Sequence, residues 1–137
     1  VLPPSDNPSP ATPRKHRFLV VDDEPIVVKI LASFLEDVAL TIAKAHSAEE
    51  ALVLLQNNEF DMLITDRFMP GMDGIELIQK ASLLKPDLKT ILISGVATKP
   101  VGPDGSDVAD LFMPKPFSKP QLLQEVAQLL ESKTEAA

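Results

Sequence analysis

Residues 60–74 read FDMLITDRFMPGMDG. The run MLIT (62–65) has strand length and stops at Asp66, and a Pro-Gly turn then leads to Asp73, a residue type that caps helices. Leu77, Ile78, Ala81 and Leu84 follow at helical spacing, so the stretch predicts a buried strand, a loop and a helix in that order. The same unit recurs on both sides of it. FLVV (18–21) ends at Asp22 and Asp23, and after Pro25, tolerated in a first helical turn, come Ile26, Ile30, Leu31, Phe34 and Leu35. LTIAKA (40–45) precedes Ser47 and Glu50, a capping box ahead of Ala51, Leu52, Leu54 and Leu55. TILIS (90–94) and LFM (111–113) supply two further strands, and Ser118 with Gln121 caps a last helix bearing Leu122, Leu123, Val126, Leu129 and Leu130. Five short strands alternating with helices predict an α/β fold, a doubly wound parallel sheet with helices on both faces. One link departs from the alternation. GVATKPVGPDGSDVADL (95–111) holds two prolines and three glycines, so the fourth helix is expected to be short or irregular, at most a turn near Ser106 to Asp110.

The chain has 137 residues, 45% hydrophobic and 24% charged, which fits one soluble globular domain. Its apolar runs are far shorter than the roughly 20 residues of a membrane helix, and its opening does not read as a signal peptide. Five of the 13 prolines fall within VLPPSDNPSPATP, a composition that cannot bury enough apolar surface to order itself. Residues 1–15 are therefore expected to be a disordered Pro-rich linker, residues 16–132 the folded domain and residues 133–137 a C-terminal tail. The start at Val1 suits a piece cut from a longer protein. Cysteine is absent, which removes disulfides and thiolate metal sites and suits a reducing, cytoplasmic compartment. The formal charge is −7, and because residues 1–17 carry +2, the remainder carries −9. Such a balance excludes a nucleic-acid partner within this chain and disfavours anionic membranes.

Four apolar runs end at polar residues: Asp22 and Asp23, Asp66, Ser94, and Lys115 after LFMP. In an open parallel sheet the carboxyl ends of the strands share one edge, where ligand sites form. Three carboxylates gathered there call for a cation, since each like-charge pair at ~4 Å costs about 4 kcal/mol at an effective dielectric near 20. Oxygen ligands suit Mg2+, which keeps room in its shell for water and phosphate oxygens. Asp22, Asp23, Asp66 and Lys115 sum to −2, so one Mg2+ neutralises them and a phosphoryl group can be accommodated. Lys115 would neutralise its oxygens, Ser94 would donate a hydrogen bond, and an Asp would attack phosphorus to give an acyl phosphate.

The strings LVVDDEP (19–25), LITDRFMPGMDG (63–74), ILISG (91–95) and MPKPF (113–117), in this order and spacing, resemble the receiver domain of two-component response regulators. The resemblance covers about residues 17–132. It implies a flavodoxin-like sheet in strand order 2-1-3-4-5, with Asp66 as phosphoacceptor. It further implies Asp22 and Asp23 as the acidic pair holding Mg2+, with Asp66 and the backbone carbonyl of Phe68 completing the protein ligands. Ser94 corresponds to the switch hydroxyl, Lys115 to the lysine that pairs with the phosphoryl group and Phe112 to the aromatic switch position, although plain core packing also accounts for Phe112. A cis peptide between Lys115 and Pro116 belongs to the same pattern. The bulky Phe68 and Val96 stand where the family borders the route of the hydrolytic water, which implies slow dephosphorylation. Partners implied are a histidine kinase or histidine phosphotransfer protein. The unusual 95–111 link leaves homodimerisation open.

The reading is a phosphorylation-dependent signalling module rather than a dedicated enzyme, although it promotes its own aspartyl phosphorylation and dephosphorylation. One alternative is a phosphorylation-independent interaction module of receiver fold, disfavoured because Asp22, Asp23, Asp66, Ser94 and Lys115 are all intact. The other is a Mg2+-dependent small-molecule phosphatase, disfavoured by the lack of an Asp-x-Asp pair and of room for a substrate cap. An upstream linker before a receiver that ends the chain resembles the C-terminal end of a hybrid histidine kinase. Asp73 reads as a helix cap, Glu24 as peripheral, His16 as part of the basic linker, and His46 as exposed or structural without a metal-ligand partner.

Overall fold

The computed structural model describes residues 15–95 and 108–136, with side chains as far as residue 131. The chain order is β1 (His16–Val21), α1 (Pro25–Leu35), β2 (Ala39–Ala45), α2 (Ala48–Asn57), β3 (Met62–Asp66), α3 (Gly74–Leu84), β4 (Lys89–Ser94), β5 (Leu111–Pro114) and α4 (Lys119–Ala136). All strand pairs are parallel, in the order β2-β1-β3-β4-β5. The sheet and its order are those expected. The short fourth helix expected between β4 and β5 falls on residues that lie largely outside those described. No helix among the described residues is long and apolar enough to cross a membrane.

Both faces of the sheet are covered, and the strand residues divide between them with the period of two that a pleated strand imposes. Phe18, Val20, Met62, Ile64, Ile91, Ile93 and Met113 pack with Val28, Leu31 and Leu35 of α1 and Leu122, Val126 and Leu130 of α4. Leu19, Val21, Leu63 and Leu92 face the other way, onto Ala48, Ala51 and Leu55 of α2 and Leu77, Ile78 and Ala81 of α3. Burying each such aliphatic side chain stabilises the fold by about 1.5–3 kcal/mol. The helix starts carry the expected caps. Ser47 Oγ accepts the N–H of Glu50 at 3.1 Å, while the Glu50 carboxylate reaches back past the cap to the N–H of His46 at 2.6 Å. Asp73 Oδ1 accepts the N–H of Glu76 at 2.9 Å, and Ser118 and Gln121 exchange a reciprocal pair at 2.8 and 3.2 Å.

Two local expectations are corrected. His16 opens β1, its N–H donating to the carbonyl of Val38 at 3.1 Å, rather than lying in the basic linker. In α1 the buried residues are Val28, Leu31, Ala32 and Leu35, whereas Ile26 and Ile30 are 66% and 47% exposed. PIVVKILASFL is apolar on nearly every side, so spacing alone leaves the inward face undetermined.

Candidate functional site

Strand register assembles the site. Val21 pairs with Thr65, so Asp22 and Asp66 follow side by side at the carboxyl ends of β1 and β3. The connection from β1 runs outward to β2 and that from β3 runs the other way to β4, which makes this the switch point of the sheet. Asp66 pairs with Ile93 and Ser94 with Pro114, so Ser94 and Lys115 extend the same edge. The amide of Lys115 donates to the carbonyl of Ser94 at 2.7 Å, fixing one to the other.

Asp22, Asp23 and Asp66 each present a carboxylate oxygen within 4.8 Å of the other two. Asp22 is buried and Asp66 nearly so, while Asp23 is exposed. Lys115 Nζ lies 3.0 Å from Asp66 Oδ1. Burial pushes the carboxyl of Asp22 up to about 6; the Glu24 N–H, donating to Asp22 Oδ1 at 2.9 Å, opposes this, Asp66 adds to it, Lys115 counters it and Asp23 raises it slightly. Burial likewise opposes the charge of Lys115, but its hydrogen bond to Asp66 and the carboxylates of Asp66, Asp22 and Glu24 outweigh it and hold the ammonium above its ordinary value. A carboxyl raised by burial among like charges is a site that gains by admitting a cation, and a set of hard oxygen donors fits Mg2+.

Ser94 is fully buried at the end of β4. Phe68, two residues after Asp66, is 55% exposed, with the Arg67 guanidinium carbon 4.9 Å from its ring centroid. Phe112 pairs in register with Leu92 and packs, partly buried, on the α2–α3 side of the sheet. The Lys115–Pro116 peptide is cis. Gly71, in the Pro-Gly turn, has φ of 78°, the left-handed region that favours glycine. Val96 lies outside the described residues.

Residues 18–127 match the response regulator receiver domain family. The chain belongs to that family. This receiver is 33% identical to the response regulator receiver protein CpdR of Brucella abortus over 115 residues, 83% of this chain and 96% of that protein. It is 34% identical over 116 residues to the sensor kinase CckA of the same organism, which covers 82% of this chain but 12% of the kinase. It spans 25% and 50% of the length of two further curated regulators. Among solved structures it resembles the response regulator TrrA of Thermotoga maritima in complex with Mg2+ and BeF, with 32% identity and a TM-score of 0.75 over 83% of this chain and 98% of that one. The receiver is thus a module of two-component signalling.

Sequence reasoning passed over two residues around the phosphoacceptor candidate, Thr65 and Gly74, and the backbone bonds of Arg67. Thr65 is fully buried and its hydroxyl donates to the backbone oxygen of Asp66 at 3.0 Å. The N–H of Arg67 donates to the carbonyl of Ile93 at 2.8 Å, and the carbonyl of Arg67 accepts the N–H of Gly74 at the same distance. A glycine as the first residue of a helix, where a better helix former would serve, was the available signal.

Proposed function

We propose that this receiver takes a phosphoryl group from a phosphohistidine partner, a histidine kinase or histidine phosphotransfer protein, onto Asp66. The observation that carries the reading is the convergence of the Asp22, Asp23 and Asp66 carboxylates within 4.8 Å, with Lys115 Nζ 3.0 Å from Asp66. Asp22, Asp23, Asp66 and the carbonyl of Phe68 would hold Mg2+, which when bound supplies charge neutralisation for the phosphoryl oxygens. A carboxylate oxygen of Asp66 attacks phosphorus; the P–O bond forms as the P–N bond of phosphohistidine breaks, and the imidazole nitrogen keeps the electron pair. Lys115 neutralises a phosphoryl oxygen, and Ser94 donates its hydroxyl to another, biasing the surface near β5 and Phe112. The likeness to a regulator solved with Mg2+ and BeF supports the cation, and the likeness to a sensor kinase supports a kinase partner. On this reading residues 1–15 are a Pro-rich linker, residues 16–132 the receiver, acting in the cytoplasm, and residues 133–137 its tail.

The test is incubation with acetyl phosphate and Mg2+ followed by mass spectrometry. Wild type gains one phosphoryl mass and Asp66→Asn gains none; equal gain on both proteins removes Asp66 from the role. Turnover of many phosphomonoesters per molecule would point to a phosphatase instead. The same spectra, taken after the donor is removed, read the lifetime. With Phe68 beside the site the mass decays over minutes or longer, and decay within seconds contradicts a shielding role for Phe68.

A further inference from the structure

The peptide that follows Asp66 is held more tightly than a loop requires. A methyl group placed on Gly74 would lie 2.1 Å from the backbone oxygen of Asp66, 3.0 Å from its carbonyl carbon and 3.1 Å from the Cα of Arg67. All three are backbone atoms, so no flexible side chain can yield. The φ of Gly74 is not left-handed, and what the position demands is space alone. Helix formers other than glycine would stabilise α3 by up to about 1 kcal/mol here. That gain is forgone where α3 meets the phosphoacceptor candidate. On the same carbonyl of Asp66 the buried hydroxyl of Thr65 donates at 3.0 Å, and from the far side Arg67 is tied through its N–H to β4.

We propose that Gly74 and Thr65 are positioning residues for phosphoryl transfer. Together they fix the Asp66–Arg67 peptide, so that the Asp66 carboxylate stays in register with Asp22, Asp23 and Lys115 and the chain leading to the Phe68 carbonyl starts from a set direction. The proposal rests on the reading of Asp66 as phosphoacceptor. A backbone displacement of about 1 Å at such a centre can lower a rate on the order of 100-fold.

Three variants test it, Gly74→Ala, Thr65→Val and, as a control for lost stability alone, Ala81→Gly, a buried position on the same helix. Two quantities are read: the Mg2+ dissociation constant by calorimetry and the rate of mass gain from acetyl phosphate. Gly74→Ala weakens Mg2+ binding and slows phosphoryl uptake by about tenfold or more, and Thr65→Val does so by roughly threefold. Ala81→Gly lowers the melting temperature yet stays within about twofold of wild type in both, because it alters packing and leaves the Asp66 peptide alone. A folded Gly74→Ala protein matching wild type in both quantities overturns the proposal, as does an equal loss in Ala81→Gly. If Gly74→Ala fails to fold, Thr65→Val decides by the same criteria. A wild-type protein that binds Mg2+ but accepts no phosphoryl group overturns the assignment of Asp66 instead, and the Mg2+ affinities then decide the positioning role alone.

Discussion

Asp22 holds the energetic tension of the site. Its carboxyl titrates near 6 in the folded protein against 3.8 when unperturbed, burial being the main cause. A raised folded pKa means that the native state binds the proton more tightly than the unfolded chain does. The stabilising contribution is therefore complete below about pH 3.8 and disappears as pH rises through 6. By linkage the difference approaches about 3 kcal/mol. Metal-free protein is accordingly expected to lose stability between pH 5 and pH 7.5 relative to Asp22→Asn, whose stability lacks this dependence; urea midpoints of the two proteins at both pH values measure it. Parallel midpoints would show that Asp22 is solvated. Mg2+ held by these carboxylates would offset the penalty at neutral pH by supplying a counter-charge. The identities of Asp22, Asp23, Asp66, Ser94 and Lys115 were legible because each ends an apolar run, and a polar residue at the end of a buried strand has few structural reasons to be there. Gly74 and Thr65 were not, because their contribution is a backbone distance and a hydroxyl geometry that only the folded chain displays.

The elements were legible where a local rule decides them. Asp73, Ser47 and Ser118 cap their helices through bonds within three residues of the cap, and such bonds depend on little else. The inward face of α1 was not legible, because Val28 buries itself while Ile26 and Ile30 face solvent, and only the sheet beneath chooses among apolar residues. Nor was the entry to β5. There Asp110 Oδ2 accepts the N–H of Thr90 at 2.8 Å and its hydroxyl at 3.2 Å, while the Asp110 N–H donates back to Thr90 Oγ1 at 3.0 Å. This pairing across 20 residues joins the start of β4 to the residue before β5. Asp110→Ala is expected to lose about 2 kcal/mol, since Thr90 is nearly buried and its groups are left without the carboxylate. Chemical denaturation checks this; a loss below about 0.5 kcal/mol would show that water replaces the carboxylate fully.

At the scale of the molecule the sheet separates two cores and gathers its polar ends on one edge, an arrangement the strand alternation foretold and the order 2-1-3-4-5 completes. The alternation alone permits other strand orders, because parallel connections do not record which neighbour they reach. A cation bound at that edge favours the native state by mass action. At 100 times its dissociation constant Mg2+ contributes about 2.7 kcal/mol and raises the melting temperature by roughly 10 °C. Differential scanning calorimetry with and without Mg2+ reads the shift. Asp23→Asn, which removes an exposed ligand, is expected to abolish most of it, and a full shift in that variant would place the cation elsewhere.

Strands buried on both faces have an unusual relation to insertions and deletions. In a half-exposed sheet, a one-residue slip turns apolar side chains to water, and stability itself rejects the change. Here both faces of β1, β3 and β4 are lined largely by apolar residues, so over most of their length a slip would exchange one apolar neighbour for another. The polar terminus, however, would advance or withdraw by about 3.3 Å, more than the whole separation between Lys115 Nζ and Asp66 Oδ1. Length changes within these strands would therefore disturb the polar cluster at the carboxyl edge more than the core, and variation in length is better accommodated in the loops of the opposite edge.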